Sequence, residues 1–152
     1  MTSLKELEHR LYKKIYKDPN FLKCLPSISA YSGSDYKAYL NFSDEKYVKT
    51  RVCTNDKFEI YIICWSPGQS SPIHDHAKNG CIMKVLSGSL KETRYDPETT
   101  HRHLKKGYSS YIHNSLGYHK IENGKERSVS LHVYSPPNHK TKRIIILKQF
   151  LD

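Results

Sequence analysis

The chain has 152 residues, with 25 Lys+Arg against 15 Asp+Glu for a formal charge of +10, and is 37% hydrophobic and 11% aromatic. That length suits one domain rather than two, twelve tyrosines argue against disorder, and the lack of an apolar run of about 18 residues excludes a membrane-spanning helix. The basic residues are dispersed, densest at Gly124–Arg127 and Lys140–Arg143 without interleaved aromatics, so a solvated basic surface is expected and no nucleic-acid partner.

In chain order, the first predicted element is a helix over residues 3 to 17. Ser3 and Glu6 have capping-box spacing, and Leu4, Leu7, Leu11 and Ile15 form one apolar stripe. Its start, MTSLKELEHRLYKK, has no apolar core of a secretory signal, and a cytoplasmic location is expected. Asp18-Pro19-Asn20 ends the helix, and a second helical piece is expected at 20 to 25, stopped by Pro26. Residues 26 to 46 carry no clear period.

From Tyr47 the period becomes that of strands. Tyr47 to Cys53 alternates, Phe58 to Trp65 reads as a mostly buried strand, and Ile73 to His76 as a short extended piece. Cys81 to Leu86 and Leu90 to Tyr95 follow, with further strands expected at 101–105, 108–112, 118–122, 127–134 and 143–149. The turns hold residues suited to them, among them Ser66-Pro67-Gly68, Ser87-Gly88-Ser89 and Asp96-Pro97. Short strands punctuated in this way predict an all-β antiparallel sandwich or barrel under a small helical cap. The expected division is a cap over 1–46 and a barrel over 47–152, together one domain.

The four cysteines show no C-x-x-C pair, which argues against a disulfide framework or a zinc ribbon. Cys24, Cys53 and Cys64 are expected to be buried packing groups. The sharpest chemical feature is His74-Asp75-His76. Residues i and i+2 of an extended segment face the same way, so two imidazoles can converge on one metal ion while Asp75 faces away. His101-Arg102-His103 has the same form, but it sits among charged residues and is read as exposed and inert.

Context separates the two pairs. Gly68, His74, His76, Cys81 and Gly88 have the spacing of the first cupin motif, with Cys81 where most cupins carry glutamate. His119 and Asn123 match the end of the second cupin motif, without its proline. SPIHDH, GSLKETRYD, LGYHKIEN and SLHVYSPP follow in order, and over residues 47 to 137 the chain resembles the cysteine dioxygenases, thiol dioxygenases of the cupin superfamily. The resemblance implies a cupin-type double-stranded β-helix. It also implies that His74, His76 and His119 bind one Fe(II); imidazole chemistry alone would equally suit zinc, copper or nickel. Cys81 in place of a carboxylate would leave the centre more positive and suited to an anionic thiolate.

In the family, the cysteine and tyrosine at the positions of Cys81 and Tyr134 can be joined by a thioether. Ser130, His132 and Tyr134 alternate on one strand face, and the resemblance implies a relay from Ser130 through His132 to the Tyr134 hydroxyl. Ser135-Pro136 is a candidate cis peptide. The family's Tyr-x-Arg, which grips the substrate carboxylate, reads here Tyr47-Val48-Lys49, with Arg51 two residues on. All three share one strand face, so spacing alone does not choose between the cations, and lysine lacks the planar fork of arginine. The implied activity is Fe(II)-dependent oxidation of L-cysteine by O2 to cysteine sulfinate. The alternatives are a dioxygenase for 3-mercaptopropionate or another small thiol, and a non-enzymatic metal-binding cupin.

Overall fold

A computed structural model describes residues 3–95 and 98–145. Helix α1, Leu4–Lys17, starts where the Ser3 side chain accepts the Glu6 N–H at 3.0 Å, and it buries Leu4, Leu7 and Leu11. A 3-10 turn, Phe21–Cys24, leads into a short helix α2, Leu25–Ser29. Pro26 therefore starts a helix instead of stopping one. It lies in the first turn, where a backbone N–H has no partner within the helix in any case. A second 3-10 turn, Asp35–Tyr39, occupies the stretch whose sequence showed no period.

Eight strands follow: β1 Val48–Thr54, β2 Glu59–Trp65, β3 Gly80–Ser87, β4 Ser89–Tyr95, β5 Thr100–Lys105, β6 Ser109–Ile112, β7 Tyr118–Asn123 and β8 Ser128–Ser135. They form a five-stranded sheet in the order β1-β2-β8-β3-β6 and a three-stranded sheet in the order β5-β4-β7, every pairing antiparallel. The expected extended piece at Ile73 to His76 makes only isolated bridges, at His74. Pro72 has no N–H to give, and the chain is shared: Ser71 and His74 donate to β7 carbonyls, whereas Asp75 donates to Lys142. Of the strand expected at 143–149, Arg143 bridges His74; residues 146–149, like the turn at Asp96-Pro97, lie outside the described residues.

The larger sheet is buried on both faces, which is why Phe58 to Trp65 reads as a continuous apolar run rather than an alternation. Its outer face, with Ile60, Ile62, Ile82, Leu131 and Val133, packs under Leu7, Leu11 and Ile28 of the helices. Each such buried side chain contributes about 1.5–3 kcal/mol relative to exposure. Lys84 ties the same face to the cap by donating to the Ser29 and Tyr31 carbonyls, both at 2.6 Å. Between the sheets, Ile63, Trp65, Met83, Val85, Leu90, Leu104 and Ile121 fill one end of the interior. The other end stays polar.

The turn from β3 to β4 has one strict requirement. Gly88 holds φ +73°, and a Cβ there would collide with Ser128 Oγ and stand 2.7 Å from the Arg127 carbonyl. Ser128 cannot easily move, because its hydroxyl donates to Asn123 Oδ1 at 2.7 Å. Gly88→Ala is expected to cost about 1–3 kcal/mol, lowering the thermal midpoint by several degrees. An unchanged midpoint in a calorimetric scan would contradict this packing.

Candidate metal centre

Two different constructions bring the histidines together. His119 is held on β7, and the segment carrying His74 runs beside it, with His74 N–H on the His119 carbonyl at 3.1 Å. His76 follows two residues later, its backbone N–H held by Asn114 Oδ1 at 2.9 Å. One ligand atom from each ring lies within 4.8 Å of the other two. His76 and His119 are each 3% exposed. Asp75 faces away, onto His139 and the Lys142 N–H.

The outer nitrogens decide what this cluster can do. His74 Nδ1 lies 2.8 Å from the Pro72 carbonyl, His76 Nδ1 3.3 Å from Asn114 Oδ1, and His119 Nδ1 2.9 Å from Glu92 Oε2. All three partners are acceptors, so each ring carries its proton on Nδ1 and turns an Nε2 lone pair inward. His74 and His119 Nε2 then face each other at 3.0 Å, and His76 Nε2 is buried without a partner. Burial, then the neighbouring His119 charge, lowers His74 to about 3 and His76 to about 2. A proton is therefore a poor occupant of this position, and converging neutral lone pairs suit a metal cation.

His74 and His119 line a cavity of about 100 Å³, together with Tyr47, Lys49, Trp65, Cys81, His132 and Tyr134 among others. Among the described lining residues there is no Asp or Glu. Lys49 is exposed as a residue, yet its ammonium sits 4.7 Å from the ring centres of both Tyr61 and Tyr134. Desolvation lowers its pKa, opposed by Cys81 and Glu59. Arg51 pairs with Tyr61 across β1 and β2 and is not among the described lining residues. Tyr47 stacks on Trp65 with centroids 4.7 Å apart.

On β8, Ser130 Oγ lies 2.7 Å from His132 Nε2, and the Tyr134 hydroxyl 3.4 Å from His132 Nδ1. Trp65 extends the row by donating its indole N–H to Ser130 Oγ at 3.0 Å. Cys81 is the cross-strand partner of Tyr134 on β3, and its sulfur is 3.9 Å from His132 Nδ1. Burial raises the Cys81 thiol to about 12, with Lys49 opposing, and lifts the Tyr134 hydroxyl well above its ordinary value. Burial followed by the Lys49 charge keeps His132 neutral. The Ser135–Pro136 peptide is cis.

Three groups escaped the sequence reading. Trp65 is core, as expected, but it also donates to Ser130. Asn114 gave no signal, because its role depends on a contact across 38 residues. Glu92 did leave one: it alternates with Leu90 on the barrel-facing parity, where an acid is out of place.

A family model described as "Cysteine dioxygenase type I" matches residues 3–144. The cysteine dioxygenase type 1 proteins of Rattus norvegicus and Homo sapiens are 38% and 37% identical over 116 residues, 68% of this chain. The match spans only 58% of the length of each of these relatives. Among solved structures, a double-stranded β-helix protein from Klebsiella pneumoniae aligns with TM-score 0.62 at 21% identity, over 70% of this chain and 86% of that one. A cupin superfamily protein from Desulfitobacterium hafniense aligns with TM-score 0.54 at 13% identity, over 64% and 84%. At these identities the two structures speak for the fold alone, a cupin-type double-stranded β-helix. No helix among the described residues is long and apolar enough to cross a membrane.

Proposed function

The chain belongs to the cysteine dioxygenase type I family, and from that premise we propose that it is an Fe(II)-dependent thiol dioxygenase converting L-cysteine and O2 to cysteine sulfinate. Both oxygen atoms go to the sulfur, which supplies all the electrons, so no further reductant is needed. The observation that carries the reading is the convergence of three inward Nε2 atoms beside a cavity whose described lining residues include Lys49 and no Asp or Glu. His74, His76 and His119 would hold the iron; the choice of iron over zinc, copper or nickel rests on the family. Fe(II), when bound there, supplies the redox chemistry that joins O2 to sulfur and lowers the pKa of a coordinated thiol.

The remaining work falls to the chain's own side chains. Lys49 pairs with the substrate carboxylate, and Tyr47, braced by Trp65, closes that side of the cavity. The Tyr134 hydroxyl stays protonated and is aimed by His132, itself fixed by Ser130 and Trp65. It can therefore donate to an atom of bound substrate without a change of charge. A cavity of about 100 Å³ has room for several waters or one small thiol acid. Cys81 and Tyr134 are read as the pair joined by a thioether, an oxidation by O2 that removes two hydrogen atoms and is legible in the intact mass.

The test is oxygen uptake by Fe(II)-loaded protein with cysteine, alongside mass analysis of the product. One O2 consumed per sulfinate formed is expected; uptake no faster than with metal-free protein overturns the proposal. A second reading, 3-mercaptopropionate as substrate, is favoured by one observation. No described lining residue offers a carboxylate to an ammonium group, and Lys49 lacks the arginine fork. Rates with cysteine, 3-mercaptopropionate and cysteamine, compared side by side, decide between them.

A further inference from the structure

Behind His119 lies a buried set of charges that the chemistry above does not use. Glu92 is fully buried, and a carboxylate so placed must be matched by donors or charge. One oxygen, Oε2, takes His119 Nδ1 at 2.9 Å. The other, Oε1, accepts from Ser110 Oγ at 3.3 Å and lies 3.2 Å from Arg94 Nε. The Nε–H is aimed aside, so this last contact is an ion pair without a hydrogen bond. Arg94 Nη2 is itself anchored, donating to Ser110 Oγ at 3.0 Å and the Tyr111 carbonyl at 2.6 Å.

We propose that Arg94, acting through Glu92, is a positioning residue for the metal centre: it clamps the far oxygen of the carboxylate that orients His119. The inference rests on the metal-centre reading above. Of the three rings, His74 is oriented by a backbone carbonyl, and His76 by an Asn114 side chain that also bonds the His76 backbone. Only His119 depends on a free-ended carboxylate, whose torsions must be fixed by something else.

The topology shows what fixes them. Glu92 and Arg94 are on β4 and His119 on β7, both in the three-stranded sheet; Ser110 and Tyr111 are on β6, at the edge of the other sheet. The clamp therefore crosses between the sheets and holds the His119 side of the centre against the opposite wall. Arginine suits the task because two nitrogens of one rigid plane meet Glu92, Ser110 and a carbonyl together, Nε the first and Nη2 the other two, whereas lysine offers one.

The experiment measures affinity for Fe(II) alone, without oxygen, by chelator competition, in wild type, Glu92→Gln, Arg94→Met and the double variant. Thermal midpoints of the metal-free proteins are recorded alongside. Outer partners of metal-bound histidines typically contribute 10–100-fold in affinity. Glu92→Gln is expected to fall within about that range, and Arg94→Met to weaken binding about tenfold. Acting through Glu92, Arg94→Met adds nothing further in the Glu92→Gln background. A general loosening of the fold would instead give the same penalty in both backgrounds, and that result, or wild-type affinity in Arg94→Met, overturns the inference. If Arg94→Met does not fold, Arg94→Lys takes its place: weakened binding supports the clamp and unchanged binding overturns it. Wild-type protein that binds no Fe(II) overturns the metal reading itself, an outcome distinct from the other two.

Discussion

His76→Ala is expected to lower metal affinity by more than about a hundredfold and to abolish thiol-dependent oxygen uptake. The bound follows from a comparison. Changing an outer partner of a metal-bound histidine costs 10–100-fold, and removing the ligand itself costs more. His76 is the informative choice because its Nε2 is buried without a partner. An imidazole in that state loses the hydrogen bond that water gave its acceptor and regains it only from a cation. The metal-free variant is therefore expected to keep the fold: it loses the long Nδ1 contact to Asn114 together with an unsatisfied group, and the backbone bond from residue 76 to Asn114 remains. Thermal unfolding separates the two effects. A metal at a hundred times its dissociation constant stabilises wild type by roughly 2.7 kcal/mol, and this metal-dependent rise should vanish in His76→Ala. His103→Ala, on an exposed stretch of β5, is the control and should behave as wild type. Full metal loading and an intact rate in His76→Ala would remove the basis for a three-histidine centre.

The sequence made the barrel and the candidate ligands legible for different reasons. Strands from 47 onward were visible because turn residues punctuate them and because β2 and β3 are apolar enough to be buried on both faces. His74 and His76 were visible through local spacing. His119 lies 45 residues from His74 and was reached through a motif, not through any physics of the local sequence. The choice between Lys49 and Arg51 was beyond parity, since both point to one face. Lys49 is the one whose ammonium reaches the Tyr134 ring, a diagonal contact that the strand register does not announce. Asn114 and the Ser110–Arg94 contact belong to tertiary packing between segments far apart in the chain. The helices of the cap were half legible: an amphipathic stripe announced α1, whereas Pro26 was misread because a proline that ends one helix can equally start another.

The largest effect on substrate choice is expected at Lys49. A charge-assisted hydrogen bond contributes about 1.5–3 kcal/mol, so Lys49→Met should lower kcat/KM for cysteine by roughly 10–100-fold, mainly through KM. Cysteamine has no carboxylate, so its rate should be nearly unchanged. This contrast separates lost recognition from a damaged cavity. The pH dependence gives an independent reading. Desolvation holds the Lys49 pKa below its ordinary value, against the opposing pull of Cys81 and Glu59. The ammonium is the binding form, so affinity is complete below that lowered pKa and is lost as pH rises through it. KM for cysteine should therefore climb on the alkaline side earlier than an ordinary lysine would allow. Arginine keeps its charge throughout this range. In Lys49→Arg the alkaline rise due to this group should disappear, while ionisation of the substrate thiol, common to both proteins, remains. Superimposable alkaline limbs in wild type and Lys49→Arg, together with an unaltered KM in Lys49→Met, would show that the carboxylate is held by another group. Arg51, the next cation on the same strand face, would then be the residue to substitute.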